Sequence, residues 1–141
     1  MSVHQKWLEQ LKSFPGNMQL PPPTLAELQI EYMEIVPGDK MKAKVPFQKR
    51  FTNPVGLYQG GFLAAALDEV FGPLSYVSSG SACMTLSLNT TYLGAFKEDM
   101  GHCMIEAKVL KKTKNFIFMR ADVYSPNGDL IAHSESHVKV V

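Results

Sequence analysis

The chain has 141 residues, 45% hydrophobic and 19% charged, with a formal net charge of +1. That length suits one domain with a sizeable core, and the composition is that of a folded protein rather than a disordered one. A nearly neutral chain gives no reason to expect nucleic acid or an anionic membrane as a partner, and its two cysteines, Cys83 and Cys103, make neither a disulfide framework nor a zinc motif.

The opening MSVHQKWLEQLKSF is too regularly polar for a signal peptide. The expected setting is the cytoplasm, with both thiols reduced and serving as small apolar packing groups. Val3, Trp7, Leu8, Leu11 and Phe14 recur at helical spacing, which predicts a short amphipathic helix over 3–14. PGNMQLPPPT follows and reads as a surface linker or lid, neither helix nor central strand. In AELQIEYMEIVPGDKMKAKVPF, Leu28, Ile30, Tyr32 and Glu34 alternate along one face of a strand. Pro37-Gly38-Asp39 makes a turn, and residues 41–47 return as a second strand. KRFTNPVGLYQ is a loop. Residues 60–77, GGFLAAALDEVFGPLSYV, form a helix that is apolar nearly all round, with Pro73 expected to kink or interrupt it. After Gly80 come four strands, in ACMTLSLNTTYLGAF, HCMIEAKVLKKT, NFIFMRADVYS and LIAHSESHVKVV. KEDMG, TKN and PNGD separate them, and Asn127-Gly128 is a hairpin turn signal. The longest apolar stretch is broken by Asp68, Glu69 and Pro73, so no membrane span is expected. This order predicts one α+β domain over 1–141, with residues 1–24 as N-terminal helix and linker. An antiparallel sheet of about six strands would wrap the long helix.

The chemistry concentrates on that helix. Asp68 and Glu69 are its only charges, and a carboxylate on an apolar helix costs free energy unless it is paired or stays near water. Both can sit where the helix meets solvent; alternatively, one lines a reaction pocket, where a perturbing environment is useful. The helix starts at Gly60-Gly61, whose N–H groups lack intrahelical partners at the positive end of the dipole, a place to hold a developing oxyanion. The plainer reading is a tight loop-to-helix turn. Asn53 and Gln59, just upstream, can offer amide groups to a substrate or a water. From Gly60 to Asp68 is about 12 Å along a helix rising ~1.5 Å per residue. If both act on one bond they come from two copies of the chain, which predicts a symmetric dimer.

NPVGLYQGGFLAAALDEVFG resembles the signature of the hotdog-fold acyl-CoA thioesterases, in particular the PaaI-like, phenylacetate-pathway branch. That signature is Asn, then Gly, then His-Gly-Gly, then an apolar helix with an Asp nine positions after the His. Asn53, Gly56, Gly60, Gly61 and Asp68 match it; the strand LSLNTTYLGAF and the closing strands also fit, so the likeness covers roughly residues 25–141. The resemblance implies a hotdog fold and hydrolysis of an acyl-CoA to a carboxylic acid and CoA. It gives Asp68 as general base or nucleophile, the Gly60 N–H as the carbonyl's polarising donor, and Asn53 as a placing group for water or substrate. Thr85 would support the water from the same subunit as Asp68. The departure is Gln59, which stands where the branch usually has His. It can donate a hydrogen bond but cannot titrate, which argues against the hotdog dehydratases. Gly61, Phe62, Leu63 and Met84 are the expected substrate contacts, in an apolar pocket between the helices of two subunits. The expected assembly is a homodimer and, beyond it, a homotetramer, with no cofactor and no metal. Two rivals remain, an acyl-CoA-binding module without turnover and a structural oligomer without a ligand.

Three other groups read as surface. His133, Glu135 and His137 alternate on one strand face without further ligands in view. Lys111, Lys112 and Lys114 crowd a turn. They or Lys49-Arg50 could instead meet the phosphates of coenzyme A.

Overall fold

The computed structural model describes residues 1–14 and 18–141. Its elements, in chain order, are α1 (Val3–Leu11), α2 (Pro23–Leu28), β1 (Glu31–Val36), β2 (Lys40–Pro46), α3 (Gly60–Ser79), β3 (Cys83–Tyr92), β4 (His102–Lys112), β5 (Phe116–Tyr124) and β6 (Leu130–Val140). The six strands form one antiparallel sheet in the order β1-β2-β4-β5-β6-β3. α3 lies across one face and touches β2 through β6. This is the α+β hotdog arrangement expected from the sequence.

Period-two alternation makes the sheet one-sided. One inward row runs Tyr32, Ala43, Ile105, Val123 and Ala132 across five strands, and all five are buried. The next holds Met41, Ala107, Ala121 and Ser134. Small residues in these rows let the α3 backbone approach, with Ala66, Leu67, Val70, Phe71 and Leu74 filling the space. The outward rows carry mixed charge, for example Lys42, Glu106, Asp122 and His133. His133, Glu135 and His137 stand on this outer face, and no metal-binding cluster exists among the described residues.

Four local expectations need correction. Pro23 and Thr24 are not linker but the first turn of α2, because proline suits a first helical position, where its missing N–H has no partner to lose. Leu28 therefore ends a helix instead of starting a strand; Gln29 closes that helix at φ 54°. Glu34 does not share the inward face with Tyr32: a bulge between them shifts the register, Ile35 pairs with Met41, and Glu34 faces Lys40 at 3.4 Å. Pro73 does not interrupt α3, which runs unbroken from Gly60 to Ser79. Proline leaves the carbonyl four residues earlier without its usual donor. That carbonyl belongs to Glu69, and the Tyr32 hydroxyl donates to it at 3.0 Å.

The N-terminal segment is bound to this frame. Ser2 and Gln5 form a reciprocal capping box on α1. Trp7, Leu11, Leu25 and Leu28 are buried in the main core, each worth about 1.5–3 kcal/mol of burial. The first part of the expected 15–24 linker, residues 15–17, lies outside the described residues.

Candidate active site

The loop before α3 is built around Asn53. Its side-chain Oδ1 accepts from the Val55 and Leu57 N–H groups at 3.1 and 3.0 Å. Its own N–H donates to the Leu57 carbonyl at 2.7 Å, and its carbonyl accepts from Gly56 at 3.0 Å. Gly56 sits at φ 81°, a left-handed turn conformation natural to glycine. Only the amide nitrogen of Asn53 is left over for a substrate.

Gln59 is the cap residue of α3, and its backbone is fixed on both sides. Its N–H donates to the Phe51 carbonyl at 2.8 Å, and its carbonyl receives Phe62 and Leu63. Its side chain makes no capping bond and is exposed. Gly60 and Gly61 follow, and their N–H groups meet no acceptor among the described residues. The two glycines have different surroundings. A Cβ on Gly60 would come within 3.1 Å of the Tyr92 ring, and the Tyr92 hydroxyl donates to the Gly60 carbonyl. A Cβ on Gly61 would meet nothing within 4 Å. A Cβ at 60 would thus press on Tyr92 of β3, whereas the space at 61 is open among the described residues.

Two turns further along α3, Asp68 is exposed in the protomer, and the Thr85 hydroxyl donates to its Oδ1 at 3.0 Å. The structure thus brings together two residues 17 apart in sequence. Glu69 differs from its neighbour. It is half-buried, and its Oε2 accepts from Thr24 of α2 at 2.6 Å. Burial pushes the Glu69 carboxyl up; the Thr24 bond opposes this, and the nearby Asp68 charge adds to it. Adjacent carboxylates on one helix therefore have separate settings.

Both carboxylates border a cavity of about 460 Å³. One wall is α3, through Asp68, Glu69, Gly72, Pro73 and Tyr76; Cys83 and Thr85 of β3 flank it. The opposite wall is the N-terminal segment, including Trp7, Leu11, Leu20 and Pro22. Midway, Gly72 has no positive φ to justify it, and a Cβ there would meet none of the described residues within 4 Å. Glycine inside a helix costs about 1 kcal/mol relative to alanine.

The expected acyl contacts are not on this cavity. Leu63 is 4% exposed, in the core under α3. Met84 points to the other face of β3 from Cys83 and Thr85, because side chains alternate along a strand. Phe62 is partly exposed and stacks on Phe51 at 4.3 Å, near the helix start instead of the Asp68 region. Sequence reasoning missed Trp7, Leu11, Thr24 and Tyr76. The only available hint was the proline-rich stretch read as a lid. Of the candidate phosphate contacts, Arg50 is occupied, paired with Glu27 at 2.8 Å and lying over the Phe51 ring. Lys111, Lys112 and Lys114 are exposed at their turn.

β3 is an edge strand whose outer side is unpaired among the described residues. Met84, Leu86, Tyr92 and Leu93 are each about half exposed along or just beyond it. No helix among the described residues is long and apolar enough to cross a membrane.

Comparison with known proteins places this arrangement. The thioesterase superfamily model matches residues 56–132, from the loop before α3 into β6. The Escherichia coli PaaI protein of the phenylacetic acid degradation operon is similar in structure, with a TM-score of 0.83 at 14% identity, over 99% of this chain and 96% of that one. A putative thioesterase from Ralstonia eutropha, described as a phenylacetic acid degradation-related protein, gives 0.80 at 25% identity, over 95% and 98%. A Haemophilus influenzae thioesterase gives 0.80 at 18% identity, over 100% and 92%. A search of curated proteins finds no match.

Proposed function

The chain belongs to the thioesterase superfamily, and on that footing we propose that it is a cytoplasmic acyl-CoA thioesterase acting as a dimer. The observation that carries the proposal is the Thr85–Asp68 pair at 3.0 Å on the rim of a cavity of about 460 Å³. By donating to Oδ1, Thr85 fixes the carboxylate and leaves Oδ2 free to take a proton from water. Water then adds to the thioester carbonyl, the C–S bond breaks, and the products are a carboxylate and free coenzyme A. Asp68 attacking the carbonyl itself is the variant of this step, with an anhydride that water cleaves.

The developing oxyanion needs donors. Within one chain Gly60 stands about 12 Å from Asp68 along the helix, at ~1.5 Å per residue. The Gly60 N–H and the Gln59 amide that act on a given thioester therefore come from a second copy of the chain. The open space at Gly61 and the unpaired apolar edge of β3 support that pairing. Exposed sheet edges normally need a partner or a cover. A homotetramer, as a dimer of dimers, is the further step of the same reading. Asn53 holds the loop that presents this helix start and can offer its amide nitrogen to the substrate.

Release of free thiol from a panel of acyl-CoAs is the test, with light scattering on the same sample. Binding without thiol release would favour a carrier module, for which Gln59 in place of a titrating residue gives an opening. A monomer mass at micromolar concentration, with full activity, would refute the shared site.

A further inference from the structure

The cavity beside Asp68 has a direction. Its α3 wall runs from Asp68 through Gly72 to Tyr76, toward the helix C-terminus and away from Gly60. That is eight residues, or about 12 Å at ~1.5 Å per residue. The facing wall is the protomer's own N-terminal segment, with Trp7 and Leu11. Halfway along, Gly72 leaves bare backbone on the cavity wall beside the Pro73 ring. Pro73 alone gives one reason for glycine, since a side chain before proline disfavours the helical conformation. The space above Gly72, which no described residue enters within 4 Å of an added Cβ, gives a second. Tyr32 takes up the Glu69 carbonyl that proline leaves unbonded. The stretch of α3 that carries the bare Gly72 backbone and the Pro73 ring is thus supported by a hydrogen bond from β1.

We propose that this cavity is the acyl channel and that it measures the substrate, taking a flexible, medium-length acyl chain of the same protomer's site. The inference rests on the thioesterase reading above and adds the substrate class. The thioester carbonyl would sit at Asp68 and the chain end against Trp7, Leu11 and Tyr76. An extended chain advances ~3.5 Å for every three bonds, so a channel of about 12 Å accommodates about ten carbons. A channel of that length would be poorly filled by an acetyl group or a single ring.

The test is the acyl-length profile, read as ratios of kcat/KM from acetyl- to palmitoyl-CoA, with phenylacetyl-CoA alongside. The wild type should peak near decanoyl. Pro73→Ala serves as the reference, because it lifts the restriction on residue 72. Gly72→Leu in that background should lower the decanoyl-to-butyryl ratio about tenfold or more, the scale of excluding a methylene or more from a pocket. Tyr76→Ala should move the peak to longer chains. A second readout does not depend on turnover. Trp7 is the chain's single tryptophan, so its emission should respond to a decanoyl thioether analogue of the CoA ester and lose that response in the Gly72→Leu, Pro73→Ala protein. A preference for phenylacetyl, an unchanged ratio in the filled variant, or emission blind to the analogue would overturn the channel. Emission that responds without any thiol release would overturn the thioesterase reading and leave the channel standing.

Discussion

Replacing Asp68 by Asn isolates the proposed chemistry, and replacing Thr85 by Val isolates how the carboxylate is held. Asparagine keeps the size of Asp68 and an acceptor for the Thr85 hydroxyl, now 3.0 Å away, but it can neither take a proton from water nor attack a carbonyl effectively. A general base typically contributes ~10²–10⁴ in rate, so thiol release should fall by at least about that range while the melting temperature holds. Valine is nearly isosteric with threonine and removes one hydrogen bond to a charged group, worth ~1.5–3 kcal/mol where it is well formed. Asp68 and Thr85 are both exposed in the protomer, so the lower end applies, about tenfold in kcat. Thr85 touches the reaction only through Asp68, which makes it a positioning residue. In the Asp68→Asn background Thr85→Val should therefore cost nothing further, and the double-mutant cycle should show full coupling. The assay is thiol release under saturating acyl-CoA, with circular dichroism and mass checked for every variant. An Asn variant within twofold of wild type, or the same tenfold Thr85 loss in both backgrounds, would refute the assignment.

Other outcomes follow from the same geometry. Gln59→Ala removes an unpartnered side chain from a backbone held at both ends, so turnover should fall toward the ~10²–10³ of one lost oxyanion donor without a change in melting temperature; an unchanged rate would take Gln59 out of the site. Tyr32→Phe strands the Glu69 carbonyl that Pro73 leaves free, at a cost of about 1–3 kcal/mol. Calorimetry should show a drop of ~3–10 °C for a chain of this size, and Pro73→Ala should recover part of it by restoring the backbone donor. Glu69→Gln should preserve the Thr24 bond while removing a half-buried charge. Because burial raises the folded-state pKa of Glu69, its contribution to stability is complete below the ordinary carboxylate range and is lost as pH rises through the raised value. The melting advantage of the Gln variant should therefore be absent near pH ~4 and grow toward pH ~7; an advantage that shrinks with rising pH would contradict the assignment.

The strands after Gly80 were legible because their signals are local. Alternation, Asn127-Gly128 and the charged breaks place β3 to β6 without reference to the rest of the fold. The long helix was legible for the same reason, and so was Asp68 as its anomalous charge. What could not be read depended on contacts between distant segments. The fate of Pro73 was decided by Tyr32, 41 positions earlier, which sits on a strand whose own register is shifted by a bulge. The setting of Glu69 was decided by Thr24, on a helix that the prolines concealed. Hydrophobic character does not say which side of α3 faces the sheet, so no local signal told that Leu63 takes the core side or that Met84 faces away from Cys83 and Thr85. Only the docking of α1 and residues 18–24 against α3 creates the cavity.

The order of features along α3 carries a mechanical consequence. N–H groups without an acceptor among the described residues stand at its start, a carboxylate in its middle, and the bare Gly72 backbone beyond the carboxylate toward its end. If the acyl chain extends from Asp68 toward Tyr76, the thioester sulfur and the coenzyme lie on the other side of Asp68, back toward the helix start and the exposed edge. A second copy related by a two-fold axis near residue 64, midway between Gly60 and Asp68, would bring its own Gly60 end into that region, because such an axis sets residue 60 of one antiparallel helix beside residue 68 of the other. Each protomer would then supply the base and the acyl channel for one substrate and the oxyanion donors for its neighbour's. Asp68 needs to stay accessible for that exchange, and the Thr85 hydroxyl is what fixes it there. Glu69, one residue on, is tied instead to Thr24 of α2, beside the same cavity. The helix thus divides its two carboxylates by environment, one open and held by a hydroxyl, one half-buried and tied down.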